Sequence, residues 1–490
     1  MFNKKGLVLI GIFLLVIFFA SPGSFPATAA SSGSGGATSS PPIIAYFYGN
    51  SLSSAQPSPY CHIEGGTVLA ICYTPQDLKA AYDFPSTTGP NGLTGAGQTI
   101  VIVDAFGSPS VQSDLNTFDT AFGLPSTTIQ IVCQGGTCPV FNPSNGDEVG
   151  WTEEIALDTQ YAHAMAPGAH IVLYVATSDD DFVLAQAVQS AISMFPHSII
   201  SQSWGDPELD LLTAPSSYVS AVLSTSEAAY QQAALQGTTV FASAGDWGAD
   251  NSPFGFTTAN PEFPSSSPWV TAVGGTEGNP YYLGSIPSCT GSTCSTGLVK
   301  FLNNPSCQLN TPNPTSAASC TPVGYGGEQV WNEKAFDAAT GGAPSLLFKT
   351  PIYQLGLGLT NRTTPDVSYN AAISGGVFGY WSAIPTAAGF YLFGGTSAGS
   401  PQWSAIAALA DQLAATYHRG TIGFINPALY LIGHVPFLYN QDFHDITVGN
   451  NILASSPDHV GFSAQPGWDD ASGWGTPNVS HLISDLALFG

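Results

Sequence analysis

Gly394-Gly395-Thr396-Ser397-Ala398-Gly399-Ser400-Pro401 stands between the apolar run Gly389-Phe390-Tyr391-Leu392-Phe393 and the segment Gln402-Trp403-Ser404-Ala405-Ile406-Ala407-Ala408-Leu409-Ala410. The second segment reads as a buried helix. Small residues around Ser397 let backbone and other groups approach it closely. Pro401 suits a first helical turn, where its missing N–H costs nothing. Ser397 is therefore expected at a helix N-terminus, where free amides and the helix dipole favour a developing anion. A Gly/Ser turn that merely caps a core helix would have the same sequence, so the partners of Ser397 must decide.

Upstream of this turn, strands alternate with helices. Thr99 to Ala105 is a continuous β-branched run, typical of a buried parallel strand. Helices are expected over Val111–Phe122, Glu153–Ala164, Asp181–Met194 and Ser224–Leu235. Strands are expected over His170–Ala176, Ser198–Trp204, Thr238–Gly245 and Trp269–Val273. Tyr73–Tyr82 opens the ordered chain as a short helix with Thr74 as cap and Pro75 in its first turn. Such alternation implies one large α/β domain around a mainly parallel sheet, with ligands at the carboxyl ends of the strands.

Length alone, 490 residues, would allow about three domains. Lys4 and Lys5, the apolar stretch Gly6 to Ala20 and the small residues Ala27-Thr28-Ala29 form a secretion signal over 1–29. The apolar stretch is short for a membrane span, and no later one is long enough. Residues 30–72 are Ser, Gly, Pro and Ala rich at their start and read as a flexible arm or vestigial pro-region; the domain is expected over 73–490. Lys and Arg total 8 against 33 Asp and Glu, a net charge of −25. Removing Lys4 and Lys5 with the signal makes it −25 − 2 = −27. That charge excludes nucleic acid and anionic membranes as natural partners and suits a secreted, monomeric protein in an acidic medium. The eight cysteines fall in four close pairs, Cys61/Cys72, Cys133/Cys138, Cys289/Cys294 and Cys307/Cys320, which in a secreted chain read as disulfides. Eight cysteines allow 105 connectivities, so local pairing is an expectation; no companion His/Cys pair supports zinc at Cys133 and Cys138. Residues 277–327 interrupt the pattern as a disulfide-stapled surface loop.

Glu154 and Asp158 stand at i and i+4, on one helical face. Carboxylates so close share a proton and split their pKa values. The strand ending at Gly245 delivers Asp246, an acid at a strand's carboxyl end between glycines.

Together these stretches resemble the sedolisin family of serine-carboxyl peptidases. The resemblance covers roughly Tyr73 to the C-terminus. It rests on Gly-Thr-Ser-Ala-x-x-Pro at 395–401, Glu-x-x-Leu-Asp at 154–158, Ala-Pro-Gly-Ala at 166–169, Ser-Trp-Gly at 203–205 and Ser-Ala-Gly-Asp-x-Gly at 243–248. Ser267–Thr276, Val330-Trp331-Asn332 and Pro365-Asp366-Val367-Ser368 add to it. It implies a subtilisin-like fold, helices on both faces of the sheet, and a secreted, acid-active endopeptidase. By resemblance, Ser397 is the nucleophile, Glu154 the general base, Asp158 the group that orients Glu154, and Asp246 a protonated oxyanion-hole acid. Carboxylates replace histidine because histidine is charged in acid, and useless there as a base. Asp104, where family members can carry Glu, and Trp204 are expected behind this group. An ordinary subtilisin would need a His-Gly-Thr-His stretch, which is absent, and an asparagine where Asp246 stands.

The resemblance also implies one calcium ion held by Asp445, Asp469 and the carbonyls of Ile446, Gln465 and Gly467 in the loops 445–469, an oxygen-only donor set. Family members usually carry a long folded propeptide, whereas about 43 residues separate the signal site from Tyr73. Substrates are expected to be proteins or peptides. A tripeptidyl-peptidase of the same family, or a catalytically silent binding protein on the same fold, are the alternatives.

Overall fold

The computed structural model describes residues 44–49, 60–62, 69–89, 92–278, 288–295, 297–302 and 321–490. The signal over 1–29, much of the arm over 30–72 and much of the loop over 277–327 lie outside the described residues.

The β-branched run forms β1 (Thr99–Ala105), and the alternation continues through α1 (Val111–Phe122), β2 (Gln130–Cys133), α2 (Gly146–Met165), β3 (His170–Ala176), α3 (Asp181–Met194), β4 (Ile199–Gln202), α4 (Ser216–Leu235), β5 (Thr239–Ser243) and β6 (Thr271–Gly278). β7 (Glu328–Val330), β8 (Val367–Asn370) and α5 (Gly399–Thr416) follow. The eight strands form one sheet in the order β7-β6-β5-β4-β1-β3-β2, with β8 also paired to β6. All pairings are parallel except that of β7 with β6. β1 is buried on both faces. Ile100 and Ile102 face a core shared with α1, α2 and α5, while Val101 and Val103 face one shared with α3 and α4. Burying each such side chain contributes on the order of 1.5–3 kcal/mol.

Two helices begin earlier than their apolar pattern predicts. α2 starts at Gly146, capped by the Asn145 side chain on Asp147 N; its polar first turn carries no apolar signal. α4 starts at Ser216, where serines hide the helical period. The strand expected over 269–273 lies instead at Thr271–Gly278. Thr74 caps its helix as expected, in a reciprocal bond with Asp77.

A second sheet holds the strand that leads into Ser397. Gly389–Gly394 pairs antiparallel with Ile44–Gly49 and with Gly376–Trp381, and the last of these pairs in parallel with Leu69–Tyr73. Within the interruption after β6, Ser288–Thr290, Thr293–Ser295, Val299–Leu302 and Pro322–Tyr325 form an antiparallel sheet. Cys133 and Cys138 are bonded, with Cα atoms 4.9 Å apart. Cys72 is also in a disulfide, and no cysteine among the described residues is free. The side chains of Cys61, Cys289, Cys294, Cys307 and Cys320 lie outside the described set. No helix among the described residues is long and apolar enough to cross a membrane.

Candidate active site

Ser397 lies in the tight turn Thr396–Ala398 that runs into α5. Gly395 enters the turn at φ 111°, a conformation that a side chain would strain. The turn's own bonds run from Ala398 N to Gly395 O and from Gly399 N to Thr396 O, leaving the Ser397 N–H outside them. Ser397 is fully buried, and its Oγ makes no hydrogen bond of ordinary geometry.

α2 packs across α5 and presents Glu154 and Asp158, both 0 % exposed, on one face. Ser203, just past β4, donates from Oγ to Asp158 Oδ1 at 3.0 Å and reaches the Ser397 carbonyl at 3.4 Å. Asp104, from β1, is also fully buried, with neither oxygen hydrogen-bonded. Burial pushes Glu154 well above the usual carboxylate range; Asp158 and Asp104 add to the rise, and the nearby Ser397 hydroxyl opposes it. Burial raises Asp158 too, with Ser203 and Glu154 opposing, and burial with the charge of Asp158 raises Asp104. The ion pairs among the described residues are Arg362–Asp366 and His163–Asp119, so no cation offsets these three acids. They must hold protons between them. Trp204 does not meet a carboxyl: its Nε1 donates to Val103 O at 2.7 Å, bracing the strand that carries Asp104. His163 points elsewhere on α2, with Nε2 2.7 Å from Pro125 O.

Asp246 follows β5 and Gly245. Its Oδ1 accepts from Thr396 N at 2.7 Å and Thr396 Oγ1 at 2.8 Å, and Gly245 N donates back to Thr396 Oγ1 at 3.1 Å. This clasp joins the Asp246 loop to the serine turn. Oδ2 is buried and unpartnered. Burial raises the group to about 7 against the opposing bonds from Thr396, so in acid it carries a proton that Oδ2 can donate.

The structure thus brings Ser397, Glu154, Asp158, Asp246 and Asp104 to the carboxyl ends of the parallel strands. Sequence reasoning missed Ser203 and Thr396 as partners. Ser203 had a signal, since it opens the Ser-Trp-Gly motif at a strand end; Thr396 had only its place beside Ser397.

A family description, "Subtilase family", matches residues 141–423, more than half of the chain and including all the grouped acids except Asp104. The chain belongs to the subtilase family. Within the family, the subtilase is similar to the sedolisins. It is 31% identical over 427 residues to kumamolisin of Bacillus sp. (strain MN-32), covering 84% of this chain and 63% of that protein. It is 26% identical over 445 residues to human tripeptidyl-peptidase 1, covering 89% and 68%. The solved structure of Pseudomonas sedolisin, a serine-carboxyl proteinase complexed with two molecules of pseudo-iodotyrostatin, matches with a TM-score of 0.62 and 26% identity over 85% of this chain and 98% of that one. The fold is therefore subtilisin-like.

The loops over 445–469 bring Asp445 and Asp469 to one place. Gly467 N donates to both Asp445 oxygens at 3.1 and 3.2 Å, Gln465 N donates to Asp469 Oδ2 at 2.9 Å, and Tyr439 Oη donates to Asp445 Oδ1 at 2.8 Å. The carbonyls of Ile446, Gln465 and Gly467 accept none of the backbone hydrogen bonds of the loops. Two carboxylates beside unengaged carbonyls fit a hard cation. Among the described residues no three His, Cys, Asp or Glu side chains form a metal cluster, and a site built half from carbonyls does not need one.

Proposed function

We propose that the chain is a secreted, acid-active serine-carboxyl endopeptidase. Ser397 Oγ attacks the peptide carbonyl carbon and passes its proton to Glu154. The oxyanion receives hydrogen bonds from protonated Asp246 Oδ2 and from the Ser397 N–H. Glu154 then gives its proton to the leaving amine, and an acyl group remains on Ser397. Water, deprotonated by Glu154, releases the acid and restores the serine. Asp158, held by Ser203, orients Glu154 and shares its proton; Asp104 keeps that proton within the group. Each donor left unpartnered before substrate arrives can strengthen as charge develops, which is where catalysis gains.

The observation that carries this reading is the unpartnered, buried Asp246 Oδ2 on the loop clasped to the Ser397 turn. It supports a donor that works only while protonated. Calcium at Asp445, Asp469 and the carbonyls of Ile446, Gln465 and Gly467 would tie the C-terminal loops together and take no part in the chemistry. A tripeptidyl-peptidase action is the second reading, favoured by the similarity to tripeptidyl-peptidase 1.

The test is purified protein, wild type and Ser397→Ala, on a denatured protein at pH 3 to 5 with the cut sites mapped. Internal cuts by the wild type and at least a 100- to 1,000-fold loss in the variant are expected, since losing even one oxyanion donor costs that much. Tripeptides released from amino termini would favour the second reading. Near wild-type turnover by Ser397→Ala would end the assignment.

A further inference from the structure

Ser397 and Asp246 come from distant parts of the chain, and a buried acid outside the site ties together the segments that carry them. Glu333, 4 % exposed, follows the Val330-Trp331-Asn332 stretch. Its Oε2 accepts from Trp331 Nε1 at 2.9 Å and from Ile373 N at 2.5 Å, and its Oε1 accepts from Ser374 N at 2.9 Å. Ile373 and Ser374 belong to the loop over 371–375, directly after β8. Gly395, in the serine turn, donates its N–H to Ala371 O at 2.8 Å. A Cβ at Gly394 would meet Ile373 Cα at 2.8 Å and Ala372 O at 2.9 Å, so the strand entering the serine turn rests on this loop.

Glu333 also belongs to a short ribbon, in which Asn332 and Glu333 pair antiparallel with Ala339 and Ala338. The ribbon grips the Asp246 loop by its main chain. Ala339 N donates to Asp246 O at 3.0 Å, Gly248 N to Ala339 O at 2.9 Å, and Gly341 N to Gly245 O at 2.7 Å. Trp331, Ala338, Ala371 and Ile373 form a buried cluster between the ribbon and the loop. We infer that Glu333 is a positioning residue for the peptidase reaction: its carboxylate locks the loop beneath the serine turn to the ribbon that holds Asp246, and so sets the oxyanion donor against the nucleophile. The inference rests on the peptidase reading above. The Thr396 clasp alone leaves the Asp246 loop a pivot, and this second attachment removes it. Trp331 Nε1, Ile373 N and Ser374 N are all donors, so both oxygens of the side chain must accept. Glutamine would set an NH2 group against one of these N–H groups.

The experiment measures kcat and KM for one peptide at pH 4 in wild type, Glu333→Gln and Trp331→Phe, together with inhibition by a peptide aldehyde and by the matching alcohol. Ser397 Oγ adds to the aldehyde carbon, and the hemiacetal oxygen takes the oxyanion's place; the alcohol forms no such bond. The aldehyde-to-alcohol preference therefore reads the alignment of Asp246 with Ser397, and it does not depend on the folded fraction. Misplacement by about 1 Å can cost about 100-fold, so Glu333→Gln is expected to lower kcat and the aldehyde preference together by about tenfold to 100-fold, with KM changed less than about twofold. Trp331→Phe removes one of the three donors and keeps an aromatic ring. It should show the same pattern to a smaller degree, and it carries the test should Glu333→Gln fail to fold. A fall in kcat with the aldehyde preference intact marks a purely structural role. That result, or variants that match wild type, overturns the inference and leaves the peptidase reading standing. Failure of wild type to cut any peptide overturns both.

Discussion

Raising the pH should destabilise this protein well before ordinary alkaline denaturation. Asp246, Glu262, Glu277 and Asp411 are each 0–4 % exposed, and burial raises them to about 7, 8, 8 and 7. A carboxyl whose folded pKa lies above its unfolded value binds its proton more tightly when folded. Its stabilisation is complete below the unfolded pKa of about 4 and is lost as pH rises through the folded value. Near pH 5.5 these four keep protons that the unfolded chain has released. Each proton gives a slope of about 1.4 kcal/mol per pH unit, so four give about 5 kcal/mol per unit. Local opening that hydrates a carboxyl removes its share, while Glu153, Asp158 and Glu227, raised by burial to about 8, 8 and 7, act in the same direction. With an unfolding entropy of about 2.1 cal/mol/K per residue over 490 residues, each kcal/mol moves Tm by about 1 °C. Tm should therefore fall by on the order of 5 °C per unit between pH 5 and 7. Calorimetry on Ser397→Ala, which cannot digest itself, at fixed calcium and ionic strength measures this. A Tm that stays level or rises over that interval would refute the assignment of these carboxyls as buried proton carriers.

Calcium should raise Tm after treatment with a chelator, following mass action, about 2.7 kcal/mol at 100-fold over its dissociation constant; a melting curve indifferent to calcium removes the site at Asp445 and Asp469. Arg362 and Asp366 form a fully buried pair, with Nη1 and Nη2 on the two carboxylate oxygens at 2.7 and 2.5 Å. Arg362→Met leaves Asp366 without its cation and should cost about 3–5 kcal/mol in denaturant unfolding; a loss below about 1 kcal/mol would show that Tyr430 and Asn426 suffice to hold the carboxylate.

The architecture was legible where residues announce both period and burial. Thr99–Ala105 reads as a two-faced strand because every position but Asp104 is apolar or β-branched, and Asp104 sits one residue before its carboxyl end. The limits of Asp181–Met194 were legible because Asp180 and Asp181 mark its start. The first turns of α2 and α4 were not, because serines, glycine and acids fit a loop as well as a helix. At the site, the Ser397 turn and the i, i+4 acids could be read from local spacing. The clasp from Thr396 to Asp246 could not, since it joins residues 150 apart in sequence. Glu333 was illegible for the same reason: only tertiary packing sets it against Ile373 and Ser374.

The pH dependence of peptide hydrolysis from pH 2 to 8, for wild type and Asp246→Asn, tests the carboxylate mechanism most directly. Burial and its two neighbours raise Glu154, so the base in acid is the one negative charge that Glu154, Asp158 and Asp104 share, placed on Glu154 when it accepts the Ser397 proton; Asp246 must be protonated to hold the oxyanion, and the rate should follow a bell with its maximum in acid. The limbs belong to the coupled acids together. Burial holds Asp246 at about 7, so the alkaline limb should fall near neutrality. Asp246→Asn keeps a donor that cannot ionise, and its reduced activity should extend to higher pH. A wild-type maximum at or above pH 7 would contradict the mechanism, and an alkaline limb unmoved in Asp246→Asn would contradict the role of Asp246 in setting it.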